Sequence, residues 1–217
     1  MPACGASNVA PLILASASPR RKELLERLGV HFDLRPVEIA EDAGPSKDPQ
    51  IVARRLARAK AEAARLDDER APILAADTVV ALGGRIFGKP ADAAEAREML
   101  RTLRGRTHEV VSAVVVMPLG RRSVIARHPL TQVTMREYGD EEIEASIAQG
   151  YPLDKAGAYG IQDEFLRPVE RYEGCYCNVI GLSLWAAIEA LLKAGEEVDI
   201  ESAGFLPQCA TCPLAHS

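Results

Sequence analysis

One stretch constrains the fold more than any other: PILAADTVVAL, residues 72–82, an apolar and β-branched run bounded by the charged break DDER and by Gly83-Gly84. It reads as a buried strand. The chain around it alternates such runs with amphipathic segments. Leu12 to Ala15 is strand-like, a helix is expected from Pro19 to Leu28, and a short strand from His31 to Val37. Asp48-Pro49 opens a second helix with an apolar stripe of Ile51, Val52, Leu56, Ala59 and Ala63. Asp92 caps a helix through Leu103, and Asp140 opens another through Ala148. THEVVSAVVVMPLG and RRSVIARHPLTQVTM read as two long strands joined at Gly120, and a last helix is expected from Val179 to Ala194. Interleaved strands and helices without a repeat or linker define an α/β class with a mixed sheet. The expected organisation is an extension at 1–10, one domain at 11–195, and a loosely docked tail at 196–217.

An acid inside the central run demands explanation. An ionised Asp77 in ILAADTVVAL is costly unless it meets a cation or metal, in which case it is a ligand or a base; alternatively the strand ends there and Asp77 caps a turn. A second oddity lies in LASASPRRKELL. Ser18 is a plausible N-cap and Pro19 fits the first helical position, but Arg20, Arg21 and Lys22 crowd a first turn whose free N–H groups already attract anions. The basic turn either binds an anion or points into water. GGRIFGKP imitates a phosphate-binding P-loop and fails at Pro90, where a Ser or Thr is needed, leaving Lys89 as a candidate phosphate contact. In YPLDKAGAYGIQ, small residues between Lys155 and Gln162 allow either close approach of backbone to a ligand or a plain surface loop.

Charge and cysteine content bound the remaining choices. A net charge of -5 disfavours a general nucleic-acid binder, so a phosphate site must be a local basic cluster. The N-terminal apolar stretch is too short for a signal core or a membrane span, so the expected location is the cytoplasm. Five cysteines do not suggest a secreted disulfide framework. Cys209, Cys212 and His216 have zinc-like spacing but lack a fourth ligand unless Cys175 and Cys177 contribute. Adjacent His108-Glu109 and the residue before Cys209 do not fit a zinc deaminase.

Taken in order, ASASPRRKELLERLG, RLARAKA, AADTVV, GKP, LRGRTHEVVSAV, YPLDKAGAYGIQ and NVIGLSL resemble the Maf family of nucleoside triphosphate pyrophosphatases, across Leu12 to Ala194. The resemblance implies a mixed β-sheet flanked by helices, related in architecture to inosine triphosphate pyrophosphatases, with two lobes around a cleft and a homodimer. It implies hydrolysis of a small-molecule nucleoside triphosphate, without nucleic acid or membrane as partner. By resemblance, Ser16, Ser18, Arg20, Arg21, Lys60, Lys89, Asp154 and Lys155 line the substrate site. Asp77 takes the catalytic place, and Glu41 joins it in holding a divalent cation, Mg2+ or Mn2+. PLDKAGAYGIQ is similar to the branch acting on dTTP and UTP, with Arg20, Thr78 and Gln162 at specificity positions. The alternatives are the sister specificity for 7-methyl-GTP or CTP, or a nucleotide sensor in cell division, as the family's historical name of septum formation inhibitor implies. The chain departs from the family at DEFLRPVERYEG, at Ser183, at Cys175 and Cys177, and in the CATCPLAHS tail.

Overall fold

The computed structural model describes residues 11–40, 44–67, 70–120 and 123–216. Among these residues, eight strands form one mixed sheet: β1 (Leu12–Leu14), β2 (Phe32–Leu34), β3 (Ile73–Leu82), β4 (Arg85–Phe87), β5 (Thr107–Met117), β6 (Ile125–Arg127), β7 (Leu130–Met135) and β8 (Val169–Glu173). The order is β2-β1-β3-β5-β7-β8, with β4 on β3 and β6 on β5. β1 runs parallel to β2 and β3, and every other pairing is antiparallel.

The long strands β3 and β5 alternate their side chains between two buried faces. Leu74, Ala76, Val114 and Val116 join helices α1 (Pro19–Glu26), α5 (Tyr176–Ile180) and α6 (Leu184–Ala194) on one side. Ile73, Ala75, Val79 and Val115 meet α2 (Pro49–Ala63) on the other. A third cluster packs Val80 and Val110 with α3 (Ala93–Leu103), α4 (Asp140–Ala148) and Tyr159.

Several expected elements are divided or shifted. The strand expected over RRSVIARHPLTQVTM breaks into β6 and β7 at His128-Pro129, because proline has no N–H to give the ladder; both halves still pair with β5. The helix expected from Val179 to Ala194 is two helices. Gly181 between them takes φ 132°, a region that favours glycine, and Ser183 restarts the helix by accepting from the Ala186 N–H at 3.4 Å. α2 begins as expected, with Asp48 accepting from Gln50 N at 2.8 Å, but its buried face is Val52, Ala53, Leu56, Ala57, Lys60 and Ala61. Ile51 and Ala63 are exposed instead, because the stripe is rotated toward the side that carries Lys60. The tail is docked: Phe205 stacks on Trp185 with ring centroids 4.6 Å apart, and Cys209 and Cys212 lie in the core.

Candidate active site

The sheet itself creates the site. Along one side β3 pairs continuously with β5, from Ile73 to Ala81. Along the other it pairs with β1 only at Ile73 and Leu74, and with β4 only from Val80. Among the described residues no strand pairs with that side of β3 between these contacts, at Asp77 and Thr78. A cleft of about 790 Å³ fills this gap. Successive strand residues face opposite sides of a sheet, and a cleft at the open edge is how both side chains reach the same space. Asp77 therefore sits in mid-strand, not at the strand end that would make it a turn cap.

Asp77 is 5% exposed and forms an ion pair with Lys60, itself 8% exposed. The lysine sits on the apolar face of α2, and its ammonium supplies the counter-charge that a buried carboxylate requires.

The SASPRR turn builds the next wall. Ser18 occupies the N-cap position of α1, yet its hydroxyl makes no capping hydrogen bond and no acid occupies the first turn. Pro19 stands in the first turn as expected. The three cations of the turn separate. Lys22 leaves the cleft and pairs with Glu26 at 3.3 Å. Arg20 reaches Asp154 at 3.1 Å across the cleft. Arg21 donates Nε to the Gly181 carbonyl at 3.0 Å and Nη2 to Thr78 Oγ1 at 3.1 Å. Thr78 Oγ1 also contacts Ser112 Oγ at 2.7 Å, and Ser112 is fixed by the buried Asn178 through its backbone N–H and its hydroxyl.

The opposite wall comes from the hairpin and the DKAGAYG loop. Gly83 and Gly84 turn the β3–β4 hairpin with φ of 58° and 80°, so GGRIFGKP is not the strand-to-helix turn of a P-loop. Gly157 N donates to the Gly88 carbonyl at 3.0 Å and brings Lys89 and Lys155 to one rim. Gly157 itself, at φ 69°, faces Val80 and Leu103, where a Cβ would come within 3.2 Å of Val80; it serves core packing and not approach to a ligand. Lys155 donates to the Tyr151 carbonyl and to Asp154, and lies 3.7 Å from the Tyr151 ring centroid. Burial pushes the Asp154 carboxyl up, but the Lys155 hydrogen bond and the Arg20 charge outweigh it and hold the group below the usual carboxylate range.

Ser16, Ser18, Arg20, Arg21, Lys60, Asp77, Thr78, Lys89, Asp154, Lys155 and Gln162 all line this cleft. Glu41 lies outside the described residues. Glu38, Arg85, Tyr151 and Tyr159 also line it, without being marked as site residues by any motif of the sequence. The aromatic pair had no periodic signal, while Glu38 stands three residues before Glu41 and was overshadowed by it. Among the described residues, six cations, Arg20, Arg21, Lys60, Arg85, Lys89 and Lys155, and four acids, Glu38, Asp77, Glu95 and Asp154, line the cleft, in a chain of net charge -5. The cleft concentrates the positive charge and suits a polyanion.

No cluster of three metal-binding side chains is present among the described residues. Mg2+ seldom needs one, since it binds one or two carboxylates together with substrate phosphates, and the oxygen donors of Asp77 and Glu38 match that chemistry.

The fold thus supplies a cation-lined cleft of about 790 Å³ beside the central strand of a mixed α/β sheet. The sequence model of the Maf-like protein family matches residues 11–194, and the chain belongs to that family. It is 50% identical over 206 residues to the dTTP/UTP pyrophosphatase of Thermomicrobium roseum, covering 94% of each chain. It is 44% identical over 184 residues to the dTTP/UTP pyrophosphatase of Geobacter sulfurreducens, covering 85% of this chain and 96% of that one. Among solved structures, a HAM1 protein from Coxiella burnetii aligns with a TM-score of 0.42 at 20% identity, over 57% of this chain and 72% of the other.

Proposed function

We propose that the protein hydrolyses dTTP and UTP, or modified forms of these nucleotides, to the monophosphate and pyrophosphate, and so removes unwanted pyrimidine nucleotides from the pool. The carrying observation is the 50% identity to a dTTP/UTP pyrophosphatase in a chain whose cationic cleft contains Asp77.

In this reading a water oxygen attacks the α-phosphorus, the bond to the bridging α–β oxygen breaks, and pyrophosphate leaves with its electron pair. Asp77 takes the proton from the attacking water. Arg20, Arg21, Lys89 and Lys155 stabilise the charge that grows on the leaving group, and Ser16 and Ser18 position phosphate oxygens. Asp77, with Glu38 from the cleft lining and Glu41 by family resemblance, would hold a divalent cation, Mg2+ or Mn2+, which would supply phosphate charge neutralisation when bound. Thr78, Gln162 and Arg20 select the pyrimidine, since a site built to hydrogen-bond one base edge is left with unpaired groups by another. By family resemblance, the proposed active form is a cytoplasmic homodimer. Among the described residues no helix is long and apolar enough to cross a membrane.

A panel of dTTP, UTP, CTP and 7-methyl-GTP, assayed for pyrophosphate release with magnesium, tests the assignment. The highest kcat/KM is expected for dTTP and UTP. Preference for CTP or 7-methyl-GTP would move the chain to the sister specificity, and no release from any of them would favour a nucleotide sensor in cell division.

A further inference from the structure

Two features of the chain stay outside the cleft chemistry: the Cys-x-Cys of GCYCN and the Cys-x-x-Cys of the tail. They are separated by 31 residues between Cys177 and Cys209, yet the fold brings them together. Cys177 Sγ lies 3.4 Å from Cys209 Sγ. Cys212 faces Cys175, and all four sulfurs lie close enough to interact electrostatically. Each is at most 3% exposed. Four of the chain's five cysteines thus share one buried locus, two from each of two segments.

We propose that Cys175, Cys177, Cys209 and Cys212 form a structural zinc site that fastens the C-terminal segment to α5. Zinc takes four thiolates in a tetrahedron with bonds of about 2.3 Å, which sets sulfur–sulfur separations of about 3.8 Å. The Cys177–Cys209 contact is already close to that. The four sulfurs do not form a ready-made metal cluster in this structure, so binding an ion would require side-chain rotation to bring them around one point. The backbone favours this. Cys175 is the N-cap residue of α5 and Cys177 lies in its first turn, while Cys209 and Cys212 flank a tight turn closed by Cys212 N donating to the Cys209 carbonyl at 3.2 Å. Short Cys-x-Cys and Cys-x-x-Cys spacings let each segment present two sulfurs to one side. The regular structure of the tail is limited to short 3-10 turns, at Pro207–Cys209 and Pro213–His216, so its docking rests on side-chain packing such as Phe205 on Trp185 and on the cysteine locus. None of the four cysteines lines the cleft, so the ion is separate from the nucleotide chemistry.

Metal analysis of the full-length protein, purified under reducing conditions without chelator, is the direct test. About one zinc per chain is expected, released by a mercurial thiol reagent. Replacement with Co2+ should give the visible absorption and the thiolate charge-transfer band of a tetrahedral tetrathiolate site, a readout that needs no variant. Cys177→Ser and Cys212→Ser should each lose the metal. Reduced wild-type protein that holds no zinc after incubation with excess zinc and desalting overturns the proposal. So does recovery of Cys177–Cys209 or Cys175–Cys212 disulfides by non-reducing peptide mapping, which would assign the four thiols to cross-linking.

Discussion

A carboxylate inside an apolar strand is the residue on which the proposed chemistry turns. Asp77→Asn keeps the shape and a hydrogen-bond acceptor for Lys60 but removes the basic oxygen. Pyrophosphate release should fall by about 10²- to 10⁴-fold while calorimetric binding of the triphosphate persists; an active variant would remove Asp77 from its role. Arg20 presents a different question, because its partner Asp154 belongs to the loop that leads to Gln162. Arg20→Ala should alter the ratio of kcat/KM among dTTP, UTP and CTP. A uniform loss for all three would limit Arg20 to holding phosphate. Arg21 is held by Thr78 and the Gly181 carbonyl, so the two neighbouring arginines are oriented by different walls of the cleft.

Among the elements, α2 delivers Lys60 and α1 delivers the arginines. The start of α2 is carried by one cap, and Asp48→Ala should lower unfolding stability by about 1 kcal/mol, measured by urea denaturation, with little change in the spectrum of the folded state. That cap was legible in Asp48-Pro49, as was the order of most strands and helices. The buried face of α2 was not, because a lysine on an apolar face reads as a polar interruption until its acidic partner, 17 residues away in sequence, is seen beside it. His128-Pro129 and Gly181 are local breaks within otherwise continuous patterns, which apolar periodicity alone bridges over. The cleft residues were legible through a combination of motifs, whereas Glu38 and the tyrosines depend on how β4 and the 151–162 loop come together. The tail escaped for a similar reason: Trp185 and Phe205 meet only after the chain has turned back on α6.

At the scale of the whole molecule, stability should depend on pH through a residue outside the cleft lining. His108 is 1% exposed on β5 and hydrogen-bonds to Tyr159 at 2.7 Å. Burial lowers its pKa from 6.5 to about 4, with partial opposition from the Arg106 backbone. The unfolded chain therefore takes up this proton first as pH falls. The contribution of His108 to stability is complete above about 6.5, declines from there toward about 4, and levels off below, with a total span of about 3 kcal/mol. Urea unfolding between pH 7.5 and 4.5 should show this loss in the wild type and a smaller one in His108→Gln. An equal loss in both would place the dependence elsewhere.

The one-sided gap along β3 gives the enzyme a division of labour. Asp77, the proposed base, is mounted on backbone bonded without interruption to β5, while the cations around the cleft come from α1, α2, β4 and the loops that carry Lys89 and Lys155. None of these elements contributes to the β3–β5 ladder, so a substrate can enter and two products can leave without breaking one of its hydrogen bonds. In the proposed reaction, access and alignment thereby fall to different parts of the fold: the entrance is built from loops and helix ends, and the base for the attacking water is built into the sheet.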